Sequence, residues 1–430
     1  MNPAFLPPEK SEVISRLSKP VLHGAMGPRS GGTITPEEAQ KLWMITEPSS
    51  DRRMLYLHIP FCVSRCLFCS FYQNRTKVNE LNGYTDYLLR EMAMMAGRPA
   101  VGGTFNTVYF GGGTPTDLSA ADLGRLIKAV RNLVHLSDDV EFTVEGRLLG
   151  FDDEKVQACL DAGANRFSFG VQTFNTARRQ LMGRRLPREK VIERLCRIKE
   201  LGGDQACTVI DLIYGLPGQS LEEWLEDIRT VHEDTPLDGV DLYRLKMLPD
   251  TPLTKKMGKV PWSDLEQIER QAEGGKYLRD AGWDRLSVTH WGRGGLERNR
   301  YNHQTKIGVD TVPFGCGAGG GIGGYSFMQM MELASYQNQL EQGHKPIGMV
   351  RPRMPNPLKD RVADQMERCF FKPVDFDVPC DSLIQNWTEA GVWEPDEEGI
   401  CWLTELGQFS QPRLAMMLTG YLAKGGDGAE

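Results

Sequence analysis

Residues 54–69 read Met54-Leu-Tyr-Leu-His-Ile-Pro-Phe-Cys62-Val-Ser-Arg-Cys66-Leu-Phe-Cys69. A strand-like run, Met54–His58, delivers three thiols in C-x3-C-x2-C spacing to the loop that follows it. A loop this short can wrap three thiolates around one inorganic centre. Iron–sulfur clusters are ordinarily held by four cysteines, and the next cysteine along the chain is Cys159. Three ligands on a four-iron cube leave one iron open to a substrate or cofactor, which points to chemistry rather than electron storage. A Cys3His zinc site is the alternative, with His58 as the nearby histidine. Disulfides fit less well, because nothing marks the chain for export and reducing compartments disfavour them.

The chain has 430 residues, enough for one large domain and a smaller one. A hydrophobic share of 40% and a charged share of 25% are those of an ordinary globular protein. The net charge of −7 argues against general nucleic-acid binding. No apolar run approaches the roughly 20 residues of a membrane-spanning helix, so no membrane insertion is expected. The start, Met1-Asn-Pro-Ala-Phe-Leu-Pro-Pro-Glu-Lys10, lacks the basic and apolar stretches of a signal peptide. A reducing, cytoplasmic setting is the expectation. Cys159 and Cys196 fall in helix-like segments and read as small buried hydrophobes.

Strands and helices alternate from about residue 51. Strand-like runs at Thr107–Phe110, Asp139–Val144, Asn165–Phe169, Thr208–Ile213 and Val240–Leu245 are separated by helix-like stretches at Ser119–Val134, Asp152–Ala162, Pro187–Leu201 and Leu221–His232. About six β/α units predict an α/β fold whose parallel sheet curls into a partial (β/α)6 barrel. The expected divisions are an extension at 1–50, the barrel at 51–300, a glycine-rich active-site cover at 301–349 and a C-terminal domain at 350–430. Gly24–Thr35 looks like part of a loose arm, and Val350–Pro357 like a linker. Leu383–Thr404 predicts a helix and a hairpin with its turn at Asp396–Gly399, so the last domain is expected to be a small winged-helix-like α+β unit.

In parallel β/α barrels, working residues sit at the C-terminal ends of the strands. Taken in order, those ends offer the three cysteines, the turn Gly111-Gly-Gly-Thr-Pro-Thr116, Glu145, Gln172 and Asp211. A glycine turn admits close approach of a ligand. Glu145 and Asp211 can meet an amine or sugar hydroxyls. Taken singly, each has an ordinary structural explanation; their shared rim with the cysteine loop shifts the balance.

These motifs, with Asp211-Leu-Ile-Tyr-Gly-Leu-Pro217, resemble the radical S-adenosylmethionine superfamily, and within it the oxygen-independent coproporphyrinogen III oxidase-like (HemN-like) branch. The resemblance covers most of residues 52–345, and the tail resembles that branch's C-terminal domain. It implies a [4Fe–4S] cluster on Cys62, Cys66 and Cys69, with S-adenosyl-L-methionine on the open iron. It also implies contacts to a first S-adenosylmethionine molecule from Tyr56, Gly112, Glu145 and Ile322. Phe68, Gly113, Thr114, Gln172, Arg184 and Asp211 match a second-molecule site.

Two departures narrow the expectation. The HNxxYW signature of the branch's heme chaperones is replaced by Arg298-Asn-Arg-Tyr-Asn-His-Gln304. The Asn-Tyr-Ala-His sequence of the oxidases is missing from Asp241-Leu-Tyr-Arg-Leu-Lys-Met-Leu-Pro249, with Lys246 where alanine is expected. The glycine stretch Phe314–Tyr325 and the Leu-Phe-Cys-Ser-Phe-Tyr form of the cysteine loop look most like the heme-utilisation (ChuW/HutW) subgroup. That resemblance implies a radical enzyme that methylates and opens heme anaerobically, fed by a flavodoxin-type electron donor. A coproporphyrinogen III oxidase and a heme carrier without turnover are the rival expectations. Cys316, His290, His303 and His344 are candidate heme-iron ligands. No residue is assigned as catalytic from the sequence.

Overall fold

A computed structural model describes residues 36–69, 74–75, 78–258 and 262–428. Twelve strands form one sheet: β1 Arg53–Ile59, β2 Thr104–Gly112, β3 His135–Gly146, β4 Arg166–Gln172, β5 Cys207–Tyr214, β6 Gly239–Arg244, β7 Asp284–Arg285, β8 His290–Gly292, β9 Asp310–Phe314, β10 Gly319–Ile322, β11 Tyr325–Gln329 and β12 Ile347–Pro352. Their order is β12-β11-β10-β9-β1-β2-β3-β4-β5-β6-β8-β7. Strands β1 to β6 run parallel, and β9 joins β1 in the same direction. The outermost strands, β12 and β7, do not pair, so the sheet is a partial barrel.

Strand alternation makes this curved sheet two-faced. Leu55, Leu57, Val108, Phe110, Phe142, Val144, Phe167, Phe169, Ile210 and Leu212 are buried in the main core. The intervening positions are polar: Tyr56, Tyr109, Glu145, Arg166 and Asp211 among them. The apolar face lies against the crossover helices Val78–Met95, Ala120–Leu133, Asp153–Ala162, Arg188–Gly202 and Leu221–Glu233. Local signals fix where those helices begin. Ser119 accepts from the Asp122 amide at 3.1 Å, and Ser220 with Glu223 forms a full capping box. Gly163 closes Asp153–Ala162 in the left-handed conformation.

Four expectations change at this level. The helix Pro36–Ile45 is no loose arm, because Trp43 is fully buried and meets the Phe327 ring edge-on at 4.6 Å. Gly24–Thr35 lies outside the described residues. Val350–Pro352 is no linker but the end of β12, an edge strand where a proline lacking an N–H is tolerated. The glycine-rich stretch is a wall rather than a lid: β9 to β12 extend the sheet sideways from β1. Cys159 is fully buried as expected, whereas Cys196 is only half-buried.

Residues 357–428 pack around a second core that includes Phe371, Trp387, Trp393 and Leu418. Helices Pro357–Glu367, Asp381–Glu389 and Gln411–Ala423 surround a three-stranded antiparallel sheet, Phe370–Phe371, Cys401–Leu403 and Trp393–Pro395. The hairpin turns at Asp396–Gly399, where Asp396 caps the Ile400 amide at 2.9 Å. The unit is tied to the barrel by His303 to Asp364 at 2.7 Å and by Arg244 over the Phe409 ring at 4.1 Å.

The wall is anchored by a buried ion pair. Glu91 accepts from the Gly315 amide at 2.9 Å and the Tyr336 hydroxyl at 2.6 Å, and it pairs with Lys345. Removing one partner strands a buried charge, at a cost of about 3–5 kcal/mol. Glu91→Ala is therefore expected to lower the free energy of unfolding by about that amount, read by chemical denaturation. Glu91→Gln should lose less.

Candidate active site

The loop after β1 is pinned from several strand ends. The Gly113 amide donates to the Ile59 carbonyl at 2.7 Å, and the Val63 amide to Asp117 at 2.9 Å. Arg147, just past β3, donates to the Ser64 carbonyl and hydroxyl at 3.2 and 2.9 Å. Leu67 donates its amide to Met182 at 3.3 Å and accepts from Leu253 at 2.9 Å. Cys66 is buried, and Cys62 and Cys69 are half-buried. The Thr114 hydroxyl donates to Cys62 Sγ at 3.3 Å. Burial lifts the Cys62 thiol to about 11 against the pull of Thr114 and Arg147. A bound metal reverses that preference, since a coordinating thiol is deprotonated outright. Among the described residues, no three His, Cys, Asp or Glu side chains converge as a lone ion would require.

The glycines of the Gly111–Gly113 turn answer first to this loop. A side chain at Gly113 would lie 2.3 Å from the Phe61 carbonyl oxygen, and one at Gly112 would strike the His58 ring at 2.6 Å. Gly112 also has φ 107°, a conformation that glycine adopts without strain. The turn lies against the end of β1 and holds Thr114 beside Cys62.

The other rim residues gather across the mouth. Strand register sets His58 beside Gly111, while β2 and β3 pair through Phe110 and Val144, one residue before Gly111 and Glu145. The Tyr109 hydroxyl and Gly112 amide hydrogen-bond to Glu145. Burial raises the Glu145 carboxyl to about 7, with those two bonds and the charges of Arg166 and Arg184 opposing it. Gln172 is a non-glycine residue at φ 73°, following an irregularity in the β4–β5 register. Its buried Oε1 has no hydrogen-bond partner, and neither has Nε of Arg184. Strain and an unsatisfied polar atom on one side chain are costs that functional sites typically carry. Asp211 lies opposite Asp241. Burial, then the Asp241 charge, holds the Asp211 carboxyl well above its usual range. Phe68 packs on Met182, Ile213, Leu216, Leu245 and Leu253.

Ile322 is not brought to this rim. Gly321 pairs with Thr311, which pairs with Met54 at the start of β1, so Ile322 sits at the opposite end of the sheet. It is fully buried in the main core beside the Gly323–Gly324 turn. Because β10 runs antiparallel, its last residue points away from the mouth, a reversal that spacing along the chain does not reveal. The candidate iron ligands Cys316, His290 and His303 are likewise engaged elsewhere. Cys316 donates to the Met331 carbonyl, His303 pairs with Asp364, and His290 is enclosed by Asp241 at 2.6 Å and Glu297 at 3.0 Å.

Sequence reasoning missed the polar floor beneath the rim. Tyr301 stacks on Tyr109 at 3.9 Å, and Tyr56 lies 6.1 Å beyond. Arg166 is buried against Glu297 at 2.9 Å. Burial opposes charge on His290, yet Asp241 and Glu297 raise its pKa to about 10. Polar residues at alternate positions of β2, β3 and β4 (Thr107 and Tyr109; Glu141, Thr143 and Glu145; Arg166 and Ser168) were the available signal.

These features are those of a radical enzyme: a three-thiol loop at the mouth of a partial barrel, with polar groups around it. The Radical SAM superfamily profile matches residues 56–231. Anaerobilin synthase of Escherichia coli O157:H7 is 43% identical over 335 residues, 76% of this chain and 74% of that protein. Heme chaperone HemW of Lactococcus lactis is 30% identical over 297 residues, 68% and 75% of the two chains. The crystal structure of coproporphyrinogen III oxidase (HemN) from Escherichia coli superposes with a TM-score of 0.70 at 22% identity, covering 90% of this chain and 94% of that one. The chain belongs to the radical SAM superfamily, and its fold is that of HemN. Its sequence is similar to that of an anaerobilin synthase. Enzymes of this family use a [4Fe–4S] cluster and S-adenosylmethionine, and the residues here fit both groups. Three thiols share one pinned loop, and unpartnered polar atoms on Gln172 and Arg184 border the mouth.

Gly113→Ala is expected to dislodge the loop and lower the iron and sulfide content of anaerobically purified protein several-fold. Gly420→Ala, with open space around the added methyl, should leave it unchanged. A second expectation concerns pH. With its folded pKa near 7 and an unfolded value near 4.5, Glu145 favours folding at low pH, and that contribution is lost as pH rises between those values. In protein free of S-adenosylmethionine, Glu145→Gln should gain stability over the wild type above pH 7. The gain should vanish below about pH 4.5, as read from denaturation midpoints.

Proposed function

We propose that this protein methylates and opens the heme macrocycle without oxygen, releasing iron and giving a linear tetrapyrrole. The observation that carries this reading is the 43% identity to an anaerobilin synthase over 76% of the chain. Cys62, Cys66 and Cys69 would hold a [4Fe–4S] cluster, which would supply the electron for reductive cleavage of S-adenosylmethionine.

The chain's own groups position the reagents. Tyr56, Gly112 and Glu145 serve a first S-adenosylmethionine. Glu145 accepts from its ammonium, whose charge draws the carboxyl back to the ionised form. Phe68, Gly113, Thr114, Gln172, Arg184 and Asp211 serve a second molecule, the methyl donor. Burial, then the Asp241 charge, favours the neutral form of the Asp211 carboxyl, the form that can donate a hydrogen bond. The apolar group around Leu67, Phe68 and Met247 excludes water beside the loop. Val63, 53% exposed within the loop, leaves the loop open to a flavodoxin-type electron donor. Among the described residues no helix is long and apolar enough to cross a membrane, and a cytoplasmic setting suits the oxygen-sensitive cluster.

Anaerobic incubation with heme, S-adenosylmethionine and reduced flavodoxin tests the reading. Mass spectrometry is expected to find an opened tetrapyrrole carrying one added methyl group. Intact heme beside accumulating 5′-deoxyadenosine would sink it, as would loss of two carboxyl groups from coproporphyrinogen as the preferred reaction.

A further inference from the structure

Beside the cysteine loop, next to the end of β4, a cavity is lined by Arg147, Arg179, Arg184 and Arg185, with Ser64 and Gly170, and by no carboxylate. Two of the four guanidinium groups are committed. Arg147 holds Ser64 and lies 3.5 Å from Asp117. Arg179 is buried and donates to the carbonyls of Val171, Thr173 and Leu186 at 2.7, 2.9 and 2.7 Å. Carbonyl oxygens satisfy its hydrogens without cancelling its charge. Burial, then the Arg184 charge, depresses the Arg179 guanidinium to about 10.

Arg184 and Arg185 form no ion pair among the described residues, and Nε of Arg184 is buried without a hydrogen-bond partner. A side chain at Gly170 would come within 3.1 Å of the Arg184 guanidinium, so the glycine lets that group lie across β4 toward Gln172. The lining also includes Leu148, Leu149 and Leu186, and Leu149 is 46% exposed. A small inorganic anion has no use for such apolar surface. A carboxylate carried on a large apolar frame meets both surfaces, and a guanidinium group is the natural receptor for it.

We propose that this cavity receives an organic carboxylate, and that its source is a propionate side chain of the tetrapyrrole, with Arg185 as the receptor beside the Arg184 that serves the methyl donor. The assignment rests on the heme reading above. The competing source of the same chemistry is the methionine carboxylate of S-adenosylmethionine.

Anaerobic holoenzyme is titrated with heme, with heme dimethyl ester and with S-adenosylmethionine. Wild-type protein should bind heme about tenfold or more tighter than the diester, the worth of a hydrogen bond to a charged group. Arg185→Ala should abolish that preference while leaving the diester and S-adenosylmethionine affinities unchanged, and Arg185→Lys should restore part of it. Arg185 is exposed, so iron content and denaturation midpoint should match the wild type. Equal affinity of the wild type for heme and its diester overturns the proposal while leaving the functional reading intact. Weaker S-adenosylmethionine binding in Arg185→Ala, with the heme preference retained, overturns the tetrapyrrole source. Binding of neither porphyrin by the wild type overturns both readings.

Discussion

Glu297 closes the floor of the barrel, and the site above depends on it. Its carboxylate lies 2.9 Å from Arg166 of β4 and 3.0 Å from His290 of β8, and it accepts from Cys207 of β5 at 2.7 Å and the Asn299 amide at 2.7 Å. Three strands and the approach to helix Arg300–Lys306 are thus tied at one buried group. Glu141 completes the floor by accepting the amides of Arg300 and Tyr301 at 2.9 and 3.0 Å. Buried ion pairs contribute less to net stability than their Coulomb energy suggests, because desolvation offsets it. Here the gain is geometric: the floor fixes which residues face inward on β3 to β6.

That constraint propagates upward. Tyr301 is carried into the barrel by the helix that Glu141 caps, and it stacks on Tyr109. Tyr109 in turn bonds Glu145, which also receives Gly112. Gly112 and Gly113 lie against β1 and set Thr114 beside Cys62. A continuous set of contacts therefore joins the sealed end to the cysteine loop. The mouth itself stays under-satisfied, with unpartnered atoms on Gln172 and Arg184.

Much of the fold was legible because its signals are local. The β/α alternation, the Ser119 cap, the Asp396–Gly399 turn and the cysteine spacing all lie within a few residues of what they specify. The placement of Glu145 and Gln172 at strand ends was legible from the β/α alternation, whereas Asp211 lies within β5 rather than at its end. Ile322 misled because strand direction is set by pairing partners distant in sequence. The glycine-rich stretch misled for a related reason: its glycines serve tight sheet packing, with a side chain at Gly320 only 2.2 Å from the Thr311 carbonyl oxygen. Pro36–Ile45 read as part of an extension because nothing local shows that Trp43 packs against Phe327.

The sequence by itself determined the alternating architecture and a three-thiol loop with one coordination position left over, since both follow from short-range spacing and side-chain chemistry. Only the tertiary structure decided which groups meet. It enclosed His290 between two carboxylates, and it turned Ile322 away from the mouth. It also gathered Arg147, Arg179, Arg184 and Arg185 around one cavity. Charge and burial act through space, and residues far apart in the chain acquire their pKa values and partners only when the strands are in register.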